Sequence, residues 1–425
     1  MKTYKDTESI EKAYILAKEQ YAKLGVNTDA ALASTAKIPV SLHCWQGDDV
    51  TGFEGADGLS GGGILATGNY PGRARNAGEL REDADLAFSL IPGTKRFNLH
   101  MLYAETGGKK IPRDELTPEH FSSWVSWAKD KKIGLDFNPS FFSHPMADSG
   151  YTLASADKKI RDFWIRHGKA SRRIASSFGA SLGTPSVNNV WVPDGSKDMP
   201  ADRTAPRERL LSALDDLFSE KLPGRTITDA VESKLFGIGS EAYVAGSHEF
   251  YMGYAVSRNM KICLDMGHFH PTETIADKIS AMLLFTPGLL LHISRGLRWD
   301  SDHVALYSDD VREVCREITR QNAFPKIDIA LDYFDASINR LAAWVIGARG
   351  LQKALLEAAL EPIVLIRDAE KNGANHIRLA LLEEAKTLPF SGVWDKYCLD
   401  QGTPVGTDWL NTISDWEKNI MAGRK

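Results

Sequence analysis

The chain has 425 residues, 43% of them hydrophobic and 25% charged, and a net charge of −5 from 51 basic and 56 acidic residues. That is an ordinary globular composition, with no basic face for nucleic acid or for an anionic membrane surface. Cys44, Cys263, Cys315 and Cys398 are scattered and form no CxxC pair, which argues against a zinc ribbon or a disulfide framework and fits a reducing cytosol.

The N-terminus, MKTYKDTESIEKAYILAKEQYAKLG, reads as a charged amphipathic helix and not as a signal peptide. Strand-like segments then alternate with helical ones. The strands expected are Ile38–Cys44, Arg96–Tyr103, Ile133–Asn138, Val187–Val192, Ala230–Phe236, Lys261–Asp265, Gly288–Ser294 and Ile327–Asp332. Helical stretches lie between them, such as PEHFSSWVSWAKDKK and RERLLSALDDLFSEKL. After the first strand, DGLSGGGILATGNYPG lacks both the GK[ST] ending of a phosphate loop and GxGxxG spacing. It reads as a mobile loop over the barrel mouth, with Gly61–Gly63 supplying freedom, or equally as a plain surface loop. The apolar run ISAMLLFTPGLLLHIS is broken by Pro287 and Gly288 and is too short to span a bilayer. Eight strands alternating with helices imply a (β/α)8 TIM barrel over residues 1–350. A doubly wound sheet would need a Gly-rich nucleotide turn after its first strand. Residues 351–425 are helical and rich in Leu and Ala. They read as an arm packing on neighbouring subunits, or alternatively as a cap on their own barrel.

The chemistry lies between Glu232 and Asp332. Glu232 and Lys234 are two apart on an expected strand and so share a face. Asp265 closes the sixth strand, and His268 follows in the turn. His270 is placed behind it, because Pro271 begins the next helix. His292 sits among Leu289, Leu290, Leu291 and Ile293; Asp300 and Asp302 are two apart; Asp332 ends the eighth strand. Each could alone be a cap or a surface ion pair. Together, five carboxylates and one lysine sum to −4 (−5 + 1), which two divalent cations neutralise. Oxygen-rich ligation with one imidazole per ion favours manganese, magnesium or cobalt over a thiolate-seeking metal. There is no nucleophile elbow and no reactive-cysteine setting. Two oxygen-ligated cations and a lysine suit a polyol whose carbonyl must be polarised, as in aldose–ketose isomerisation by a 1,2-hydride shift or through an enediol. Trp45, Trp191, Trp299 and Phe141 sit at or near strand ends, where sugar C–H faces could stack.

PVSLHCWQGDDVTGFE, ATGNYPGRARNAGELR, LDFNPSFFSHP, GTPSVNNVWVPDG, AVESKLFGIGSEAY, DMGHFHPTE, RWDSDHV and LDYFDASINR lie between Pro39 and Arg340. Through them it closely resembles the L-rhamnose isomerase family. The resemblance implies a xylose-isomerase-like barrel, a cytosolic homotetramer, a sugar substrate and manganese as the metal, with magnesium, cobalt or zinc possible at a structural position. It implies Glu232, Asp265, His292 and Asp332 as structural-metal ligands. It implies His268, Asp300 and Asp302 as catalytic-metal ligands, with Glu232 shared. Lys234 is expected at the sugar O1 or O2, Asp302 or Asp332 as proton carriers, and His100, Trp191 and Trp45 as substrate contacts. An isomerase of other aldoses, a metal-dependent hydrolase and a non-catalytic sugar binder are the competing readings.

Overall fold

The computed structural model describes residues 6–54, 68–235, 242–297 and 303–424. Among them, eight parallel strands close into a barrel. We number them β1 (Val40–His43), β2 (Lys95–His100), β3 (Gly134–Asn138), β4 (Ser186–Trp191), β5 (Ile227–Glu232), β6 (Lys261–Asp265), β7 (Leu289–Ile293) and β8 (Ile327–Leu331). Each strand pairs with the next, and β1 closes the ring on β8 through Val40 opposite Ile329.

The strands form where the sequence places them, with shifts that matter for the site. β2 stops at His100 because Met101–Tyr103 turns into a 3-10 segment. β5 begins three residues earlier than expected and ends at Glu232. Thr228 and Asp229 look like turn residues in sequence. In the fold, Asp229 accepts hydrogen bonds from Arg172 and from Asn188, which satisfy a polar group on the outside of the barrel. Phe236 lies outside the described residues.

The helices are positioned by capping and close approach. Lys132 and Asn259 adopt left-handed conformations where helices Ser122–Lys131 and His248–Arg258 hand over to β3 and β6. The long helix Lys158–Leu182 lies against the barrel so tightly at Gly179 that a Cβ there would stand 1.9 Å from the Thr226 carbonyl oxygen.

Helix Arg340–Ala359 runs unbroken through position 350 into the C-terminal region. Phe390–Asp400 then packs on the N-terminal helix Thr7–Lys23, where Ile10, Tyr14, Ala17, Val393, Trp394 and Tyr397 share a buried cluster. Trp409–Asn419 and the segment after it return to the barrel. Trp416 Nε1 donates to Asp83 Oδ1 at 2.8 Å, and the Arg424 guanidinium also pairs with Asp83. Helix Asn375–Ala385 buries none of its residues and leaves Ile377 and Leu379 exposed.

Candidate metal centre

The C-terminal ends of four adjacent strands converge. Glu232 is the last residue of β5, Asp265 the last of β6, His292 the fourth of the five in β7, and Asp332 directly follows β8. Register aligns them, with Asp265 directly opposite His292. One ligand atom from each of the four lies within 4.8 Å of all the others.

The orientation of these groups follows a rule. Each carboxylate gives one oxygen to a protein donor and turns the other inward. Glu232 Oε2 accepts from Asn189 Nδ2 at 2.5 Å. Asp265 Oδ1 accepts from the Gly267 N–H at 2.6 Å and the Ser294 hydroxyl at 3.2 Å. Asp332 Oδ1 accepts from Trp45 Nε1 at 3.0 Å. The inward oxygens, Glu232 Oε1, Asp265 Oδ2 and Asp332 Oδ2, stand 3.4, 3.4 and 3.0 Å from His292 Nδ1. These are ion-pair distances without hydrogen-bond alignment. Glu232 Oε1, Asp265 Oδ2 and both His292 nitrogens are buried with no aligned hydrogen-bond partner among the described residues. Buried polar groups in proteins are ordinarily satisfied, so inward donors of this kind fit a cation.

The electrostatics agree. Burial alone would raise the Glu232 carboxyl, but His292 and His268 hold it well below its ordinary range. Burial raises Asp332 in spite of His292. Burial alone would depress His292, yet the Glu232 and Asp332 carboxylates hold its imidazole well above its ordinary range. The imidazolium is thus the positive centre that three carboxylates face. A divalent cation meets the same demand more fully and leaves the imidazole neutral, as a ligand must be. Glu232, Cys263 and His292 form a second possible group, but burial lifts the Cys263 thiol well above its ordinary range, and a protonated thiol is a poor ligand.

Other expected residues gather at the same mouth. His268 is buried, with Nδ1 3.2 Å from Glu232 Oε1. Lys234 does not share a strand face with Glu232, because β5 has ended. Its backbone N–H donates to Gly246 O instead, while its buried Nζ lies 4.8 Å from the centre of the Trp191 ring. His100 Nδ1 is 3.2 Å from Ser140 Oγ, and its ring meets Trp45 edge-on at 4.7 Å. Trp191 Nε1 is buried without a hydrogen-bond partner among the described residues. Trp45 also orients Asp332. His270 is exposed and turns to Thr272. Asp300, Asp302, Trp299 and Gly61–Gly63 lie outside the described residues.

Phe141 is a correction. It is fully buried beside Trp164 and His167, away from the mouth. Its neighbour Phe142 faces His100 and Trp191 at ring distances of 5.6 and 5.9 Å. Asn189 and Ser294, the carboxylate-holding residues, carry no charge to mark them in sequence. Strand parity is the signal that could have found Asn189, two residues before Trp191 on β4.

Residues 8–424 match the model of the L-rhamnose isomerase family. The chain belongs to that family. An L-rhamnose isomerase of Yersinia pseudotuberculosis (serotype IB, strain PB1/+) is 58% identical over 418 residues, covering 98% of this chain and 100% of the relative. An L-rhamnose isomerase of Yersinia pestis is 57% identical with the same coverage. Among solved structures, an L-ribulose 3-epimerase aligns with a TM-score of 0.47 at 12% identity, over 79% of this chain and 98% of that one. L-rhamnose isomerases are metal-dependent aldose–ketose isomerases, and this protein is such an isomerase.

Proposed function

We propose that the protein interconverts L-rhamnose and L-rhamnulose at the mouth formed by β5–β8, using two divalent cations, most naturally manganese. The observation that carries this reading is the divided use of the carboxylates, with outer oxygens held by protein donors and inner oxygens and the His292 imidazole left for a cation.

Glu232, Asp265, His292 and Asp332 would hold one ion. His268, Asp300 and Asp302 would hold the other, with Glu232 shared. Cations bound there polarise the sugar carbonyl and stabilise negative charge developing on its oxygen. Lys234 places its ammonium against O1 or O2 as that charge develops. Asp302 or Asp332 carries the proton between O1 and O2, while hydrogen passes between C1 and C2 as hydride or, alternatively, through an enediol. Trp191, Phe142 and His100 form a wall for the sugar, and the Trp191 N–H is available to one of its oxygens. A cytoplasmic homotetramer completes the reading. No helix among the described residues is long and apolar enough to cross a membrane, and exposed Val364, Ile377 and Leu379 on the C-terminal helices offer apolar surface to neighbouring copies.

The test is ketose formation from L-rhamnose by chelator-stripped protein, with and without manganese. Activity absent in the first case and restored in the second supports the reading. No ketose in either, from folded protein, overturns it.

A further inference from the structure

The metal donors lie on β5–β8, and the wall formed by His100, Phe142 and Trp191 comes from the ends of β2 and β4 and the turn after β3. One buried cation holds that turn. Arg113, in the 3-10 turn Arg113–Glu115 between β2 and β3, is 2% exposed. Its Nη1 donates to Ser140 O at 2.9 Å and Phe142 O at 2.6 Å, and its Nη2 donates to Ser143 O at 2.7 Å. Its Nε lies 3.0 and 2.9 Å from the two oxygens of Glu54, on the segment that follows β1. Three carbonyls of one four-residue turn thus point at one guanidinium, whose charge is met by Glu54.

The turn needs such a holder. Ser143 has a φ of 50°, a left-handed conformation that residues other than glycine seldom adopt. Backbone of this kind persists where its surroundings over-determine it. His167 braces the same turn from behind. Its Nε2 accepts from the Ser140 N–H at 3.0 Å, and its Nδ1 donates to Arg113 O at 3.3 Å. Toward the mouth the turn presents two groups. One is the Phe142 ring, which faces His100 and Trp191, and the other is the Ser140 hydroxyl, 3.2 Å from His100 Nδ1.

We propose that Arg113 is a positioning residue for the sugar. Each of its three guanidinium nitrogens donates to protein, so it holds the wall and does not touch the substrate. By pinning the Ser140–Ser143 carbonyls it sets the Phe142 ring and, through Ser140, the His100 imidazole before the sugar arrives. This rests on the reading of that wall as sugar-binding. A wall already in place spares the cost of ordering side chains on binding. Loss of the clamp is therefore felt in KM more than in kcat, and the metal donors on the other strands keep their geometry. Lysine is no substitute, because a point charge on a flexible stem cannot meet every acceptor that the planar fork meets.

The experiment is the kinetics of Arg113→Lys, as metal-loaded full chain, in two backgrounds. In the parent, KM for L-rhamnose should rise roughly tenfold with kcat within about twofold, the signature of lost binding that ground state and transition state share. Manganese affinity should equal the parent's. Phe142→Ala removes the ring being positioned and should itself raise KM. Arg113→Lys added to it should raise KM only about twofold further, since residues acting as one unit are not additive. Should Arg113→Lys fail to fold, Glu54→Gln, which keeps the shape of the partner and removes its charge, goes through the same two backgrounds with the same expectation. An unchanged KM in the parent background, or an equal rise in both, overturns the proposal. So does a fall in kcat accompanied by weakened manganese binding, which would make Arg113 a support of the whole fold. A Phe142→Ala protein with the parent's KM overturns the reading of the wall, and the proposal with it; a parent that makes no ketose overturns the isomerase reading itself.

Discussion

The hydrogen bonds that turn three carboxylates inward come from uncharged residues, and each donor can be removed by substitution. Trp45→Phe deletes the Nε1 donor to Asp332 Oδ1 and trims the indole to a single ring that still packs beside His43 and His100. Loss of such an orienting contact typically costs 10–100-fold in metal affinity. Manganese titration of stripped Trp45→Phe should show that loss, and an unchanged affinity would mean that Asp332 needs no holder. A second residue reports through pH. Asp48 is fully buried, and burial lifts its carboxyl from 3.8 to about 7 despite hydrogen bonds from Tyr103 and Gly52. Between those values the folded chain keeps a proton that the unfolded chain has released. Stability from this group therefore falls as pH rises from near 4 to near 7, by on the order of 4 kcal/mol. Asp48→Asn stays neutral, and the Tyr103 hydroxyl can accept from its amide. Urea unfolding of the two proteins at pH 5 and pH 7.5 should show the variant losing less stability over that interval. The convergence of Glu232, Asp265, His292 and Asp332 was legible in the sequence because a charge at the end of an apolar strand needs an explanation. Asn189, Ser294 and Phe142 were not, since neutral side chains gain their meaning only from what they face.

Element boundaries were legible to within a few residues, and the errors have local causes. Lys234 reads as a strand-face residue because it stands two positions after Glu232 in AVESKLF, but β5 is spent by Glu232, having started at Ile227. The polar pair Thr228–Asp229 hid that start, since Arg172 and Asn188, which satisfy the outward Asp229, come from other parts of the chain. The fit of helix Lys158–Leu182 against the barrel was likewise invisible, because Gly179 reads as a weak point in a helix. It is a contact point. Gly179→Ala puts a methyl against the Thr226 carbonyl, and a shift of helix or strand should cost about 1–3 kcal/mol. A Tm equal to that of the parent would show that the helix can move away freely.

At the scale of the whole molecule, alternation alone sufficed to read the barrel, because eight repeats of one period leave few architectures. The C-terminal region was less legible, since leucine-rich helices look alike whether they cover their own barrel or another. Phe390–Asp400 covers the N-terminal helix of its own chain, while Asn375–Ala385 remains uncovered. A cation held by β5, β6, β7 and β8 together binds the folded chain and not the unfolded one. Thermal unfolding should therefore shift with metal concentration, by about 2.7 kcal/mol of added stability at a free concentration of 100 times the dissociation constant. A Tm indifferent to chelator would argue against a cation shared among four strands.

Barrel closure sets an order of events during synthesis. β1 must wait for β8 before Val40 can meet Ile329, and Asp332 leaves the ribosome a hundred residues after Glu232. Until then the nascent chain carries an open sheet with an incomplete set of donors. On the proposed ligation, metal uptake would therefore wait until translation has passed Asp332. A chain truncated before Asp332 would lack both the seam and the last donor, so tight metal uptake would separate finished molecules from unfinished ones.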